Sequence, residues 1–222
     1  MFGPEHDRVR RVPIPGDRDV TASLDEPGSD TGACVVACPP HPQRGGSRSD
    51  RRLQAVGDAL ADCGVACLRF DYGPWDEGEG ERQDAVLALA WAAERYERLG
   101  LFGYSFGGGV ALLAGIDHGP DDEHHKRPAG EDVAGLATLA PAAELPDGSD
   151  AAAATEDRTR PTLVVVGERD ETVAWEHVAE RARGAGHVVE ALPADHRFAG
   201  HQEDAAGAVA SFLAEHLDVP GE

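Results

Sequence analysis

Short apolar runs alternate with longer amphipathic stretches along most of this chain. Residues 33–37, 65–70 and 162–167 are almost continuously apolar, which is typical of strands that are buried on both faces of a sheet. Between such runs, apolar residues recur every three or four positions, which is the spacing of a helix with one buried face. Alternating strands and helices favour a mostly parallel sheet that is covered by helices on both faces.

The pattern predicts a series of elements with no internal repeat and no interdomain linker. Strands are expected at residues 9–14, 20–24, 33–37, 65–70, 99–103, 133–140, 162–167 and 187–192. Helices are expected after a cap at Ser49 or Asp50, from Glu81, and over about 106–116, 173–183 and 202–217. The first two strands, separated by Pro-Gly-Asp, form a hairpin at a sheet edge. Residues 117–132 are predicted to be an acidic surface insertion.

We therefore expect a single α/β domain over residues 1–222. The predicted fold class is a three-layer α/β/α sandwich, with a mostly parallel, doubly wound sheet of about seven or eight strands. The stretch between residues 140 and 161 is too short for a large lid or cap, so a site at the sheet edge should be open.

The charge balance limits the choice of partners. The chain has 41 acidic residues against 20 basic ones, a net charge of -21, and Lys126 is its single lysine. Such a surface repels nucleic acids and anionic membranes, so we expect neither as a partner. Because self-repulsion of this size destabilises a compact state unless salt screens it, we hypothesise a halophilic protein that works in high salt. An ordinary acidic protein is the alternative.

Two further features concern the compartment and the cysteines. No apolar run approaches the length of a membrane span, and the first eleven residues are charged and lack the apolar core of a secretory signal, so we expect a cytoplasmic protein. The cysteines Cys34, Cys38, Cys63 and Cys67 lie in or beside apolar segments. Their spacing matches no zinc site, and we expect small buried hydrophobic residues.

Candidate chemistry begins at residues 103–109, Gly-Tyr-Ser-Phe-Gly-Gly-Gly. An apolar strand precedes this segment and a helix-like run follows it. A serine with glycines two residues before and after it, between a strand and a helix, is the layout of a nucleophile elbow. The turn is so tight that larger side chains at the flanking positions would collide with the neighbouring elements, and glycine avoids this collision. Ser105 is thus a candidate nucleophile, the alternative being a close-packed turn without chemistry.

A serine hydroxyl needs a base, and the base needs an acid that orients it. In a sheet of this kind both groups should follow later strands, in the order acid and then histidine. Asp170 follows strand 162–167 and His196 follows strand 187–192. Glu168 and Glu171 remain rivals for the acid, although a position three residues after the strand-end glycine suits Asp170. His201 remains a rival for the base, although it falls where the last helix begins.

Four segments together resemble the α/β-hydrolase fold family, over about residues 20–217. Within it the chain is most similar to small capless members described as dienelactone-hydrolase-like or as α/β superfamily hydrolases. The matching segments are His41-Pro42-Gln43-Arg44-Gly45-Gly46, the Gly-Tyr-Ser-Phe-Gly elbow, Gly167-Glu168-Arg169-Asp170 and Asp195-His196-Arg197-Phe198. The resemblance implies that Ser105 is the nucleophile, Asp170 the acid and His196 the base.

The resemblance also implies an oxyanion hole made by two main-chain N–H groups, here those of Gln43 and Phe106. His41, Tyr72 and Trp75 are candidate substrate contacts, and for the two aromatic residues packing is an equal alternative. Two departures separate the chain from its relatives. It lacks their Arg-Gly-x-Gly-x-Ser segment after strand 65–70, and it has serine where dienelactone hydrolases proper use a cysteine nucleophile.

These residues predict a serine hydrolase that cleaves a carboxylic ester, or a related acyl bond of a small molecule, through an acyl-enzyme. No cofactor or metal is expected. Amide or thioester cleavage and acyl transfer are alternatives with the same three residues. A binding module that keeps the fold without turnover is an alternative of a different class.

Overall fold

A computed structural model of the protein describes residues 9–115, 133–157 and 159–219. The predicted insertion at 117–132 lies outside the described residues. The strands are β1 (Val9–Pro13), β2 (Thr21–Asp25), β3 (Ala33–Cys38), β4 (Ala66–Asp71), β5 (Arg98–Tyr104), β6 (Val133–Leu139), β7 (Thr162–Gly167) and β8 (Val188–Leu192). The helices are α1 (Arg51–Asp62), α2 (Glu79–Ala93), α3 (Phe106–Ala114), α4 (Trp175–Gly184) and α5 (Gln202–His216).

All eight strands belong to one sheet, in the order β1-β2-β4-β3-β5-β6-β7-β8. Strand β2 runs antiparallel to β1 and to β4, and the strands from β3 to β8 pair in parallel. The predicted edge hairpin and the mostly parallel sheet are both confirmed. Because parallel strands share one direction, the loops that follow β3, β5, β7 and β8 all leave the sheet at the carboxyl ends of its strands.

Two apolar cores, one on each face of the sheet, make the three layers. One core packs α1 and α5 against the sheet, and the other packs α2, α3 and α4. Strands β3 and β7 are buried at every position, as their continuous apolar runs predict. Strand β8 is the edge strand at the opposite side of the sheet from β1. Each of its residues is exposed or half-buried, and Val188 is 53% exposed. The predicted three-layer α/β/α architecture is therefore confirmed.

Local sequence signals explain where the first helix begins and ends. Asp50 is the N-cap of α1, and its carboxylate accepts a hydrogen bond from the Arg52 main-chain N–H. After the helix, Gly64 adopts a positive φ of 76°, a conformation that glycine tolerates and other residues rarely adopt. Of the two predicted caps, Asp50 is the one that the structure uses.

The cysteines behave as apolar side chains. Cys34, Cys38 and Cys67 are buried, Cys63 is half-buried, and all four are free thiols. Burial raises the pKa of the Cys38 thiol far above its ordinary value, so this group stays protonated and unreactive at neutral pH. Across the described ranges, each helix is too short or too polar to traverse a lipid bilayer.

Candidate active site

The turn between β5 and α3 holds Ser105 in a conformation that non-glycine residues rarely adopt, with φ 57° and ψ -120°. The two flanking glycines are required by close approach. A Cβ atom on Gly103 would lie 2.1 Å from the carbonyl oxygen of Gly107, and one on Gly107 would lie 2.3 Å from the carbonyl oxygens of Cys38 and Pro39. The segment therefore has the geometry predicted for a nucleophile elbow, and it presents the serine at the carboxyl end of the sheet.

Ser105, His196 and Asp170 form one hydrogen-bonded chain. The Ser105 Oγ lies 2.9 Å from His196 Nε2, and His196 Nδ1 lies 2.7 Å from Asp170 Oδ2. Because a carboxylate can only accept, Nδ1 carries the ring hydrogen and Nε2 is free to accept a proton from the serine hydroxyl. The three groups come from the loops after β5, β7 and β8, which all leave the sheet at the carboxyl ends of these parallel strands.

Asp170 is fixed by its own loop. Its Oδ1 atom accepts hydrogen bonds from the main-chain N–H groups of Thr172 and Val173, at 2.8 and 3.2 Å. Its side chain is fully buried, which strengthens the hydrogen bond to His196 by excluding water. The rival acids Glu168 and Glu171 are both exposed.

The rival base, His201, lies outside this chain of groups. It occupies the N-cap position of α5, but its side chain makes no capping bond to the helix main chain. Its Nδ1 atom instead lies 3.3 Å from the exposed carboxylate of Asp204. Of the two histidines, His196 alone contacts the serine.

An open cavity of about 550 Å³ lies in front of Ser105. Its walls come from the loop after β3, the start of α1, the elbow, the segment after β6 and the loops after β7 and β8. His196 and Phe106 face it beside the serine, and Thr172 and Val173 complete the wall next to Asp170. Ser105 is half-buried and lines this open cavity, so it is accessible to a small molecule.

Solved structures with this architecture cover nearly the whole chain. A serine hydrolase homologue from Coxiella burnetii is 23% identical with a TM-score of 0.73, and the match covers 98% of this chain and 100% of that one. A serine hydrolase without a lid from Xanthomonas campestris is 21% identical with a TM-score of 0.74, covering 99% of each chain. Est1E from Butyrivibrio proteoclasticus is 19% identical with a TM-score of 0.74, covering 94% of this chain and 99% of that one.

The chain has the α/β-hydrolase fold. No protein-family model matches the sequence, and no curated protein matches it. Its similarity to known α/β-hydrolase structures is therefore a similarity of backbone fold, at 23% sequence identity or less for the structures given above.

In this α/β-hydrolase fold the predicted oxyanion donors are the N–H groups of Gln43 and Phe106. Within the described residues neither N–H has a hydrogen-bond acceptor. By contrast, the neighbouring N–H groups of Arg44 and Gly46 donate to the His41 carbonyl, and that of Gly45 to the Pro42 carbonyl. Phe106 lines the cavity, whereas Gln43 is exposed and is not among the described residues that line it. The role of Gln43 stays a prediction.

The three candidate substrate contacts differ in position. His41 lines the cavity, and burial, assisted by the nearby charge of Arg44, lowers its pKa, which favours a neutral ring. Trp75 stacks on the far side of His41 with ring centroids 4.6 Å apart. Tyr72 is buried, and its hydroxyl donates to the carbonyl of Pro39 at 3.1 Å. Neither Trp75 nor Tyr72 is among the described cavity-lining residues; they pack against His41 and Phe106, which are, and their role as substrate contacts stays a prediction.

Two buried carboxylates hold the loop that carries Trp75, and sequence reasoning missed both. Glu81 accepts hydrogen bonds from the main-chain N–H groups of Asp76 and Gly78, and Asp84 accepts from that of Gly73. Both carboxylates lie on α2 and are fully buried. The signal for Glu81 was available, because a Glu at the third position of a helix commonly bonds back to the residue that begins it.

Tyr104 and Arg52 are further cavity residues that the sequence did not single out. The Tyr104 hydroxyl donates to the carbonyl oxygen of His196 at 3.1 Å, and the two rings lie 5.4 Å apart. Burial raises the pKa of Tyr104 to about 12, so it remains a donor at neutral pH. The Arg52 guanidinium lies over the Tyr104 ring, 4.6 Å from its centroid. Tyr104 occupies a variable position of the elbow, and no local pattern marks Arg52.

Proposed function

We propose that this protein is a serine hydrolase that cleaves a carboxylic ester of a small molecule through an acyl-enzyme. Ser105 is the nucleophile, His196 the general base and acid, and Asp170 the acid that orients the imidazole. The observation that carries the proposal is the continuous hydrogen-bonded chain from Asp170 through His196 to Ser105, which ends at an open cavity.

The first step follows from the hydrogen bonds of these groups. His196 Nε2 takes the proton of the serine hydroxyl as Oγ attacks the ester carbonyl carbon. The imidazolium that forms lies 2.7 Å from the buried carboxylate of Asp170, which stabilises the charge and keeps Nε2 directed at Ser105. The same nitrogen then donates the proton to the leaving alcohol.

The remaining steps need an oxyanion site and a water molecule. The Phe106 N–H, at the start of α3, is available for the negatively charged oxygen, and Gln43 N–H is the proposed second donor. Each such donor contributes about 3–4 kcal/mol to transition-state stability in enzymes of this type. Water enters through the open cavity, His196 removes its proton, and collapse of the second tetrahedral intermediate releases the acid and regenerates Ser105.

Pre-steady-state hydrolysis of p-nitrophenyl acetate, in low and in molar KCl, tests this proposal. We expect turnover preceded by a burst of nitrophenol that approaches one equivalent, because the acyl-enzyme accumulates when its hydrolysis is slow. Ser105→Ala should abolish both burst and turnover. Ser49→Ala, at an exposed serine outside the cavity, is the matched control and should behave like wild type. Turnover that survives in a folded Ser105→Ala variant would contradict the proposal.

A further inference from the structure

The cavity next to Ser105 is lined by more basic than acidic residues, although the protein as a whole is strongly acidic. Three of its lining side chains are the arginines Arg44, Arg52 and Arg197, against the two acidic side chains Asp50 and Glu144. The chain carries a net charge of -21. Basic residues are therefore concentrated at the one cavity that contains the candidate nucleophile, where attraction between unlike charges acts on whatever enters it.

Two contacts hold the Arg52 guanidinium in place, and they use only part of its hydrogen-bonding capacity. Its Nη2 atom donates to Asp50 Oδ2 at 2.5 Å, and its guanidinium lies over the ring of Tyr104. Its Nε atom is buried and, within the ranges that the structure describes, has no hydrogen-bond partner. A buried donor without an acceptor is costly, so the Arg52 guanidinium keeps unused hydrogen-bonding capacity beside the cavity that this residue lines. Asp50 forms an ion pair with Arg52 through Nη2 alone, because the other Asp50 oxygen caps α1.

The other two arginines have no fixed partner among the described residues. Neither Arg44 nor Arg197 forms an ion pair in the described ranges. Arg44 follows His41 in the loop after β3, and Arg197 directly follows His196. Three guanidinium groups thus border the site from three separate segments. A planar, forked donor of this kind matches the two oxygens of a carboxylate.

We propose that the substrate carries a carboxylate in addition to its scissile ester, and that Arg52, assisted by Arg44 and Arg197, binds this carboxylate. The inference rests on the proposed function, since it names the substrate class of the same site. The Arg52 guanidinium lies 4.6 Å and the His196 ring 5.4 Å from the centroid of Tyr104, so a bound carboxylate and the reacting carbonyl would be separated by a few carbon atoms. A half-ester of a dicarboxylic acid with a short methylene chain has this form.

Matched pairs of p-nitrophenyl esters test the inference. The monoesters of adipic and suberic acid each carry a terminal carboxylate, whereas the hexanoate and octanoate esters have the same chain lengths and end in a methyl group. We expect the ratio of kcat/KM, charged over neutral ester, to exceed about ten for at least one chain length, since a charge-assisted hydrogen bond is worth about a factor of ten or more. Most of this preference should appear in KM.

Substitutions test whether Arg52 causes the preference for the charged ester. Arg52→Gln should lower the charged-to-neutral ratio about tenfold, and Arg52→Lys should retain part of it, since it keeps the charge but loses the fork. Arg51→Gln is the matched control, because Arg51 is the preceding residue of α1, is exposed and does not line the cavity. If Arg52→Gln fails to fold by circular dichroism, the double variant Arg44→Gln/Arg197→Gln should lower the same ratio.

The outcomes separate this inference from the proposed function. Hydrolysis of the neutral esters with a wild-type ratio near one, or a ratio unchanged in a folded Arg52→Gln variant, overturns the carboxylate site and leaves the hydrolase intact. If no ester of either kind is hydrolysed and no burst is seen, the proposed function itself fails. A ratio that falls equally in Arg51→Gln reveals a general charge effect and also overturns the assignment to Arg52.

Discussion

Replacing Gly107 by alanine tests how the elbow is joined to the loop after β3. The added Cβ would lie 2.3 Å from two main-chain carbonyl oxygens, those of Cys38 and Pro39, where an ordinary contact begins at 3.4 Å. Neither oxygen belongs to a flexible side chain, so the loop and the elbow must separate by about 1 Å, a displacement that can cost about a hundredfold in rate when it misplaces reacting groups. This loop carries His41, which lines the cavity in front of Ser105, and Gln43, whose N–H is the proposed second oxyanion donor.

We therefore expect Gly107→Ala to lower kcat/KM for p-nitrophenyl acetate about a hundredfold in a protein that still folds. Overpacking costs about 1–3 kcal/mol, and alanine regains up to about 1 kcal/mol of helix propensity, so the free energy of unfolding should fall by no more than about 3 kcal/mol. Urea denaturation and steady-state kinetics measure the two effects separately.

The matched control is Gly207→Ala in α5, where an added Cβ meets no atom within 4 Å. This change should raise the free energy of unfolding by up to about 1 kcal/mol and leave kcat/KM unchanged. A Gly107→Ala variant as active as wild type would refute the reasoning, because it would mean that the loop and the elbow can separate without affecting the reaction.

Three further predictions concern stability and the thiols. The thermal midpoint should rise between 0.01 and 1 M KCl, as the screening length falls from about 30 to about 3 Å; an unchanged midpoint would refute the high-salt hypothesis. The native protein should react with at most one equivalent of a disulfide reagent, at Cys63, and the unfolded protein with four equivalents. More than one reactive thiol in the native protein would contradict the burial of the other three cysteines. In urea denaturation, Asp84→Ala, which breaks the buried ion pair with Arg18, should lower the free energy of unfolding by about 3–5 kcal/mol. Arg82→Ala, which breaks the partly exposed pair with Asp147, should lower it by less than about 1 kcal/mol, and equal losses in the two variants would contradict this ranking.

Most of the sheet could be predicted because its strands are buried on both faces. An uninterrupted apolar run such as β7 has few other interpretations, and the residue at its end is fixed in position by the strand. Ser105, Asp170 and His196 each follow a strand within a few residues, so their convergence follows from the parallel sheet. Short sequence separation from a well-predicted strand is what made these three residues identifiable.

The cavity wall could not be predicted in the same way. Arg52 reaches the site from the first turn of α1, and its position depends on how that helix packs beside Tyr104. The expected substrate contacts Tyr72 and Trp75 follow β4, but their loop folds back so that both rings pack behind His41 and Phe106. Which face of a loop points inward is decided by tertiary contacts, such as those of Asp84 with Arg18 and with the Gly73 N–H, that no local pattern specifies.

The measurement that tests the central claim most directly is the site of covalent labelling by a fluorophosphonate, which reacts with activated serine nucleophiles. We predict a single adduct, located by mass spectrometry on Ser105, and its loss in His196→Ala, because the hydroxyl needs the neighbouring imidazole to react. No adduct on the folded wild-type protein in low or high salt, or an adduct on another residue, would contradict the claim that Ser105, His196 and Asp170 act as a catalytic unit.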